Sequence, residues 1–182
     1  MKRLLFLICV FGLASCGESE PRKAVKVKSG SFMDASVARS KELLAQEELL
    51  FKEIIAKDSL HKYISTNTGL YYFYEKQNLS SQYLPQTDDE VILSYNVMSL
   101  NNDTIYRASD IGFVQHAIDK SQLFPGLRNA VKQLKEGEKA TFLIPSSMAY
   151  GFKGDGDKIG VNIPIKTSVN LYQIIKKKDS IN

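Results

Sequence analysis

The sequence predicts an α+β fold in which an antiparallel sheet curves around one short helix. From Thr68 onward, apolar residues alternate with polar ones, and β-branched and aromatic residues are frequent, which is typical of strands. One short helical pattern lies among these strands, and strands and helices do not alternate regularly. Strands grouped around a single helix favour antiparallel pairing over the parallel sheets of α/β proteins.

The first sixteen residues are predicted to be a bacterial lipoprotein signal peptide (1–15) followed by its lipidation site. Residues 1–3 carry two positive charges, and Leu4–Ala14 is an almost continuous apolar run of eleven residues. A membrane-spanning helix needs about 20 such residues, so this run fits the core of a secretory signal instead. Leu13–Cys16 resembles the lipobox, which predicts a lipid on Cys16. A buried strand that contains a cysteine is the alternative.

Residues 16–32 are predicted to be a flexible tether, and residues 33–63 a helix. The tether is polar and charged and has no apolar period. Asp34 and Ser36 can cap the helix, in which apolar residues recur every three or four positions: Val37, Leu43, Leu44, Leu50, Phe51, Ile54 and Ile55. This stripe either packs on the helix's own domain or joins a second copy, so we expect a monomer or a dimer through this helix.

A strand-rich domain is predicted over residues 64–178, followed by a short tail, 179–182. The predicted strands are Leu70–Lys76, Glu90–Leu100, Thr104–Ala108, Lys139–Ile144 and Ser168–Lys176. Between the third and fourth strands, Leu127–Leu134 has helical spacing, and Gly137 is expected to end this segment. The glycine-rich stretch Gly151–Gly160 is predicted to be a loop.

Several classes of function are disfavoured by composition and spacing. A net charge of +4 gives no reason to expect a nucleic-acid partner. Cys9 and Cys16, the chain's two cysteines, both precede residue 17, which excludes a four-cysteine zinc site, and His61 and His116 lack metal-ligand spacing. Ser146 has no nucleophile elbow around it. We therefore expect no metal and no cofactor.

A series of motifs between Thr68 and Lys176 carries a family resemblance. A Pro-Gly turn enters a helix, a glycine follows the helix, and a strand ends in Ile-Pro before an Ala-Tyr-Gly triplet. These motifs lie in Leu123–Gly151, with further matches at Thr68–Leu70, at Val91 and Tyr95, and at Ile163–Pro164. The segment resembles the FKBP family of peptidyl-prolyl cis-trans isomerases, and the resemblance implies an FKBP-like fold and isomerase activity.

The lipobox and the single preceding helix resemble a narrower group, the FKBP-type lipoproteins associated with gliding motility (GldI-like proteins). That resemblance implies a lipid anchor on Cys16 in the bacterial cell envelope, at the periplasmic face of the inner or outer membrane. It implies proline-containing envelope proteins as clients, including those of the gliding or secretion machinery. A non-catalytic FKBP-like chaperone or assembly subunit of the envelope is the alternative.

The family resemblance also implies an apolar substrate pocket. Its catalytic residues would be Tyr95, Tyr106, Phe124, Leu127 and Tyr150, and its other substrate-binding residues Phe113, Leu123, Ile163 and Leu171. The Phe124 N–H and the Tyr150 hydroxyl would each donate to a substrate carbonyl. For Phe113 and Leu171, plain core packing is an equally good interpretation.

Two positions depart from the common family pattern. Leu127 forms the pocket floor where many members have tryptophan, and Arg107 follows Tyr106 where an aspartate is common. Together these departures imply reduced activity.

Overall fold

The computed structural model describes residues 29–120 and 123–177. The predicted signal peptide, Cys16 and most of the predicted tether lie outside these residues. The fold described below belongs to the second of two compact units, Val37–Asn182. Within the described ranges, no helix combines the length and the apolar character needed to cross a membrane.

The N-terminal helix, α1, spans Ser29–Lys57 and so begins and ends before its predicted bounds. Asp58 explains the early end. Its backbone N–H still donates to Ile54 O at 3.1 Å, but its carboxylate accepts hydrogen bonds from the Leu60 N–H (3.2 Å) and the Tyr63 hydroxyl (3.1 Å). An aspartate that accepts hydrogen bonds from residues shortly after it in the sequence favours a turn and opposes continuation of the helix.

From Val37 onward, α1 packs against the strand-rich domain through a narrow stripe of buried side chains. Phe51 is only 1% exposed, and its ring meets Tyr71 edge-on, with centroids 6.1 Å apart. Glu47, on the same face, is also buried. By contrast, Leu44 and Leu50 remain about half exposed, so the helix packs on its own domain with part of its apolar surface uncovered.

The strands form an antiparallel sheet, as predicted. The described strands are β1 (Ile64–Ser65), β2 (Tyr71–Lys76), β3 (Glu90–Tyr95), β4 (Val97–Met98), β5 (Thr104–Tyr106), β6 (Val114–Ala117), β7 (Lys139–Ile144) and β8 (Ile165–Ile175). Their order in the sheet is β1-β2-β7-β8-β3-β6, with β4 paired to β8 and β5 paired to β4.

One predicted strand is interrupted. Asn96 separates β3 from β4, where Glu90–Leu100 was predicted to run unbroken. The Asn96 side chain accepts the Ser168 N–H at 2.7 Å, and the Asn96 carbonyl accepts the Thr167 hydroxyl at 2.5 Å. These bonds hold the break against β8, which begins at Ile165 rather than at Ser168. The strand β6 was not among the predicted strands.

Two short helices and two 3₁₀ turns complete the domain: α2 (Ala108–Ile111), α3 (Pro125–Val131), Ser146–Met148 and Gly151–Lys153. The apolar face of α3 joins the inner face of the sheet in one core. Gly126 permits this approach, because a Cβ there would lie 2.4 Å from Ile144 Cγ2 on β7. The close contact fixes the position of Phe124, the residue immediately before α3.

Candidate active site

Three aromatic residues from separate parts of the chain meet at one end of the core. Tyr95 ends β3, Phe124 precedes α3, and Tyr150 lies between the two 3₁₀ turns. The centroid of the Phe124 ring lies 6.2 Å from that of Tyr95 and 5.2 Å from that of Tyr150. We call these residues the aromatic cluster. Each is half-buried, so the cluster combines close ring contacts with an accessible apolar surface.

Leucines belong to the same apolar core as the aromatic cluster. Leu127 on α3 and Leu171 on β8 are fully buried, and Leu123 is partly buried against them. Leucine therefore takes a fully buried position at Leu127, where the family commonly has tryptophan. The structure thus brings seven of the predicted site residues into or against one apolar core: Tyr95, Tyr106, Leu123, Phe124, Leu127, Tyr150 and Leu171.

The hydroxyl groups of the cluster are neutral. Burial raises the pKa of Tyr150 well above its usual value, and the nearby Tyr95, Asp155 and Tyr106 raise it further. Burial also raises the pKa of Tyr95. A tyrosine with an ordinary pKa of about 10 already keeps its proton at neutral pH. Burial strengthens that preference, so both hydroxyls can act as hydrogen-bond donors.

Tyr106 is held by a carboxylate that the sequence did not single out as a site residue. Its hydroxyl donates to Asp155, and this hydrogen bond raises the pKa of Tyr106 to about 12. The other oxygen of Asp155 accepts the N–H groups of Asp157 (2.9 Å) and Ile159 (2.8 Å), which orders the glycine-rich loop. The ammonium of Lys158 lies 4.9 Å from the centre of the Tyr106 ring. Asp155 thus supplies a carboxylate beside Tyr106, whereas Arg107 is exposed.

Phe113 lies on the outer face of the sheet, which corrects its predicted place in the pocket. It is 74% exposed and packs edge-on against Tyr172, with ring centroids 5.2 Å apart. The inward positions of this segment are the half-buried Val114 and the buried His116 and Ile118. Because side chains alternate between the faces of a strand, a shift of one residue moves the aromatic ring to the other face.

Ile163, the remaining predicted site residue, lies between the glycine-rich loop and β8 and is 42% exposed. A Cβ added at Gly160 would lie 3.7 Å from Ile163 Cγ1. The place of Ile163 at the rim of a substrate pocket stays a prediction.

His116 faces Val91 across the β3–β6 pair and is 1% exposed. Burial lowers the pKa of its imidazole, and the positive charges of Arg128 and Lys132 lower it further, against an opposing effect of Asp119. The neutral imidazole is therefore the form that the folded domain favours.

We expect the free energy of unfolding to fall as the pH drops from 7 towards 5. The unfolded chain binds a proton at the ordinary histidine pKa of 6.5, whereas folded His116 binds it only at lower pH. The stability that neutral His116 contributes is therefore fully present above the histidine pKa of the unfolded chain, and it is lost as the pH falls below that value. Urea unfolding at a series of pH values measures the slope. His116→Leu should flatten it, and equal slopes for the wild type and His116→Leu would contradict the prediction.

The chemistry available at the aromatic cluster is binding and desolvation. Within the described residues, no three His, Asp or Glu side chains are grouped so that they could hold a metal ion. Half-buried rings over buried leucines suit an apolar, compact group, and neutral hydroxyl donors can fix the direction of a peptide.

Comparison with known protein families identifies the family of this chain. The model of the FKBP-type peptidyl-prolyl cis-trans isomerases matches residues 82–172, half of the chain, and this range contains the whole aromatic cluster. The chain belongs to the FKBP-type peptidyl-prolyl cis-trans isomerase family. Its predicted family membership and FKBP-like fold are therefore confirmed.

Individual FKBP-type proteins resemble the chain over most of its length. The probable FKBP-type peptidyl-prolyl cis-trans isomerase FkpA of Neisseria meningitidis serogroup B is 33% identical over 152 residues, which make up 84% of this chain and 54% of that protein. The chain thus spans about half the length of this curated relative.

Solved structures share the fold of this FKBP-type chain. The crystal structure of FkpA from Escherichia coli aligns with a TM-score of 0.59 and 18% identity, over 96% of this chain and 82% of that one. A peptidyl-prolyl cis-trans isomerase from Pseudomonas syringae aligns with a TM-score of 0.59 and 17% identity, over 75% of this chain and 96% of that one.

Proposed function

We propose that this FKBP-type chain catalyses cis-trans isomerisation of peptide bonds that precede proline. The observation that carries the proposal is the half-buried aromatic cluster of Tyr95, Phe124 and Tyr150, packed against the core that contains the buried Leu127 and Leu171. Isomerisation requires no acid, base or nucleophile, so an apolar surface with neutral donors is sufficient for it.

The barrier to rotation about a peptide bond is about 18–20 kcal/mol, because the planar form is stabilised by resonance. That planar form is charge-separated and well hydrated, whereas the twisted form is less polar. Binding the prolyl group against the aromatic cluster removes water, which disfavours the planar form relative to the twisted one. Contacts speed the reaction only where they are stronger in the twisted state.

In this proposal the substrate is held by donors on both sides of its proline. The protonated Tyr150 hydroxyl donates to one carbonyl flanking the proline. The Phe124 N–H donates to another, and Leu123, Ile163 and the Tyr106–Asp155 pair form the surrounding wall.

We expect Tyr150→Phe to lower kcat/KM for a short proline-containing peptide about fivefold, since one hydrogen bond contributes about 1 kcal/mol net. The measurement is an isomerisation assay on the chain without residues 1–16, with wild type and variant compared at equal folded concentration. Tyr172→Phe is the matched control, because that hydroxyl bonds Ser94 on the outer face of the sheet. No acceleration by the wild type at excess enzyme would refute the isomerase proposal itself.

We further propose that the chain is an envelope lipoprotein, anchored through Cys16, whose clients are exported proteins with proline-limited folding, including those of a gliding or secretion machinery. The positively charged start of the chain, the apolar run and the lipobox-like sequence in residues 1–16 support the lipid anchor. Metabolic labelling with a radioactive fatty acid tests the anchor, since Cys16→Ser should abolish incorporation.

A non-catalytic chaperone or assembly subunit is the second candidate. Leucine rather than tryptophan at position 127 favours it, as do the exposed apolar residues of α1, Val37, Leu44, Leu49 and Leu50, which could bind a client or a second copy. Suppression of client aggregation that survives Tyr150→Phe, without any isomerase rate, would favour this function. Sedimentation with Leu49→Lys and Leu50→Lys would reveal dimerisation through the helix.

A further inference from the structure

Glu47, on α1, is a buried carboxylate outside the residues that the family resemblance assigns to the pocket. It is 3% exposed, and its Oε2 accepts the backbone N–H of Ser146 at 2.9 Å. Ser146 is itself buried. Burying a carboxylate is costly unless its hydrogen bonds compensate, so a carboxylate at this position needs a physical reason.

The residue that Glu47 binds begins the turn that leads to Tyr150. Ser146–Met148 is a 3₁₀ turn, and no side chain of the preceding Pro145 caps it. The Met148 and Ala149 N–H groups both donate to the Pro145 carbonyl, at 2.9 and 3.0 Å. The turn is therefore tightly wound between the Glu47 contact and Tyr150.

The packing around this contact is incomplete. A cavity of about 210 Å³ is bordered by Ser40, Leu43 and Glu47 of α1 and, on the other side, by residues that include Ser147 and Phe152. Where packing does not fix two elements against each other, a buried hydrogen bond has more influence on their relative position. The Glu47–Ser146 bond is such a link between α1 and the turn.

We propose that Glu47 is a positioning residue for Tyr150, acting through Ser146, so that α1 is part of the working isomerase domain. The proposal rests on the proposed function for its effect on rate. Glu47 fixes the start of the turn, the turn fixes Tyr150 against Phe124, and the Tyr150 hydroxyl then meets the substrate at the correct distance.

The test measures kcat and KM of the full-length chain in detergent for Glu47→Ala, Glu47→Gln and Glu48→Ala. Glu47→Ala should lower kcat by up to about fivefold, the loss expected for Tyr150→Phe, with KM within twofold, as expected when a catalytic group is displaced. Glu47→Gln keeps an acceptor oxygen and should retain at least half of the wild-type kcat. Glu48→Ala removes an exposed carboxylate that pairs with Lys52 on the same helix and should change neither constant.

A second variant addresses the contact from its other side. Proline is tolerated at the first position of a helical turn, where Ser146→Pro would remove the N–H that Glu47 accepts. It should reproduce the kcat loss of Glu47→Ala, and the double variant should lose no more than either single variant. Additive losses, or wild-type kcat in folded Glu47→Ala, would overturn the proposal, as would a Glu47→Gln variant as slow as Glu47→Ala.

Amide hydrogen exchange separates this proposal from the proposed function. Exchange at Met148 and Ala149, whose N–H groups donate to the Pro145 carbonyl, should accelerate in Glu47→Ala and stay unchanged in Glu48→Ala, whether or not the chain is an isomerase. An inactive wild type with this exchange pattern would refute the isomerase function and leave the positioning contact intact. Unchanged exchange in Glu47→Ala would refute the positioning role, whatever the activity.

Discussion

Replacing Phe124 with alanine is expected to lower kcat/KM about 100-fold, because about 3 kcal/mol of binding to the twisted substrate would be lost. The ring contacts both Tyr95 and Tyr150, and such aromatic pairs contribute about 0.5–1.5 kcal/mol each. Its removal also takes away apolar surface that would cover the prolyl ring. The isomerisation assay gives kcat/KM, and urea unfolding shows the fraction of the variant that is folded.

The matched control for Phe124 is Phe113. Phe113→Ala removes an equally large ring from the outer face of the sheet, where it contacts Tyr172. It should leave kcat/KM at the wild-type value. A large loss of activity in folded Phe113→Ala, or a small one in Phe124→Ala, would contradict the assignment of the aromatic cluster as the substrate site.

Replacing Gly154 with alanine is expected to lower the free energy of unfolding by about 3 kcal/mol, because backbone conformations almost confined to glycine cost other residues about 1–3 kcal/mol. Gly154 has φ 68° and ψ −164°. In addition, a Cβ there would lie 2.3 Å from the Ile159 carbonyl oxygen. Urea unfolding measures the stability. Gly156→Ala is the matched control, since Gly156 also has positive φ (82°) but nothing within 4 Å of its would-be Cβ; it should cost about 1 kcal/mol.

Displacement of the loop has a separate spectroscopic signature. If Gly154→Ala moves Asp155 away, the pKa of Tyr106 should fall from about 12 towards the ordinary value of 10.0. An unchanged Tyr106 titration in Gly154→Ala would show that the loop absorbs the extra methyl group without moving Asp155.

Sequence reasoning succeeds here where a local pattern is sufficient. The strand β7 has its predicted bounds, because a continuous run of residues with strand propensity is stopped by Pro145. Tyr95, Phe124 and Tyr150 also meet as the motifs imply, since each lies at the end of an element whose position in the core is set by apolar residues.

The remaining features depend on contacts between distant residues. Phe113 lies outside the pocket because the register of this segment differs by one residue from the register that the family resemblance implied. The alternating apolar positions Val114 and Ile118, with His116 between them, could have shown which face of the segment points inward. Asp155 joins Tyr106 only when β5 and the glycine-rich loop come together. The Gly-Asp-Gly-Asp sequence around Asp155 predicts a loop, but it does not show that Asp155 binds Tyr106.

The central place of β8 has a consequence for the order of events in folding. Within the described strands, β8 joins the β1-β2-β7 half of the sheet to the β3-β6 half, yet it comes last of these strands in the sequence. Pairings so distant in sequence give a high contact order and slow folding. A chain delivered from its N-terminus presents both halves of the sheet before the strand that joins them. We expect the halves to join only after Ile165–Ile175 has been delivered, so that a chain cut before Ile165 should not complete the sheet.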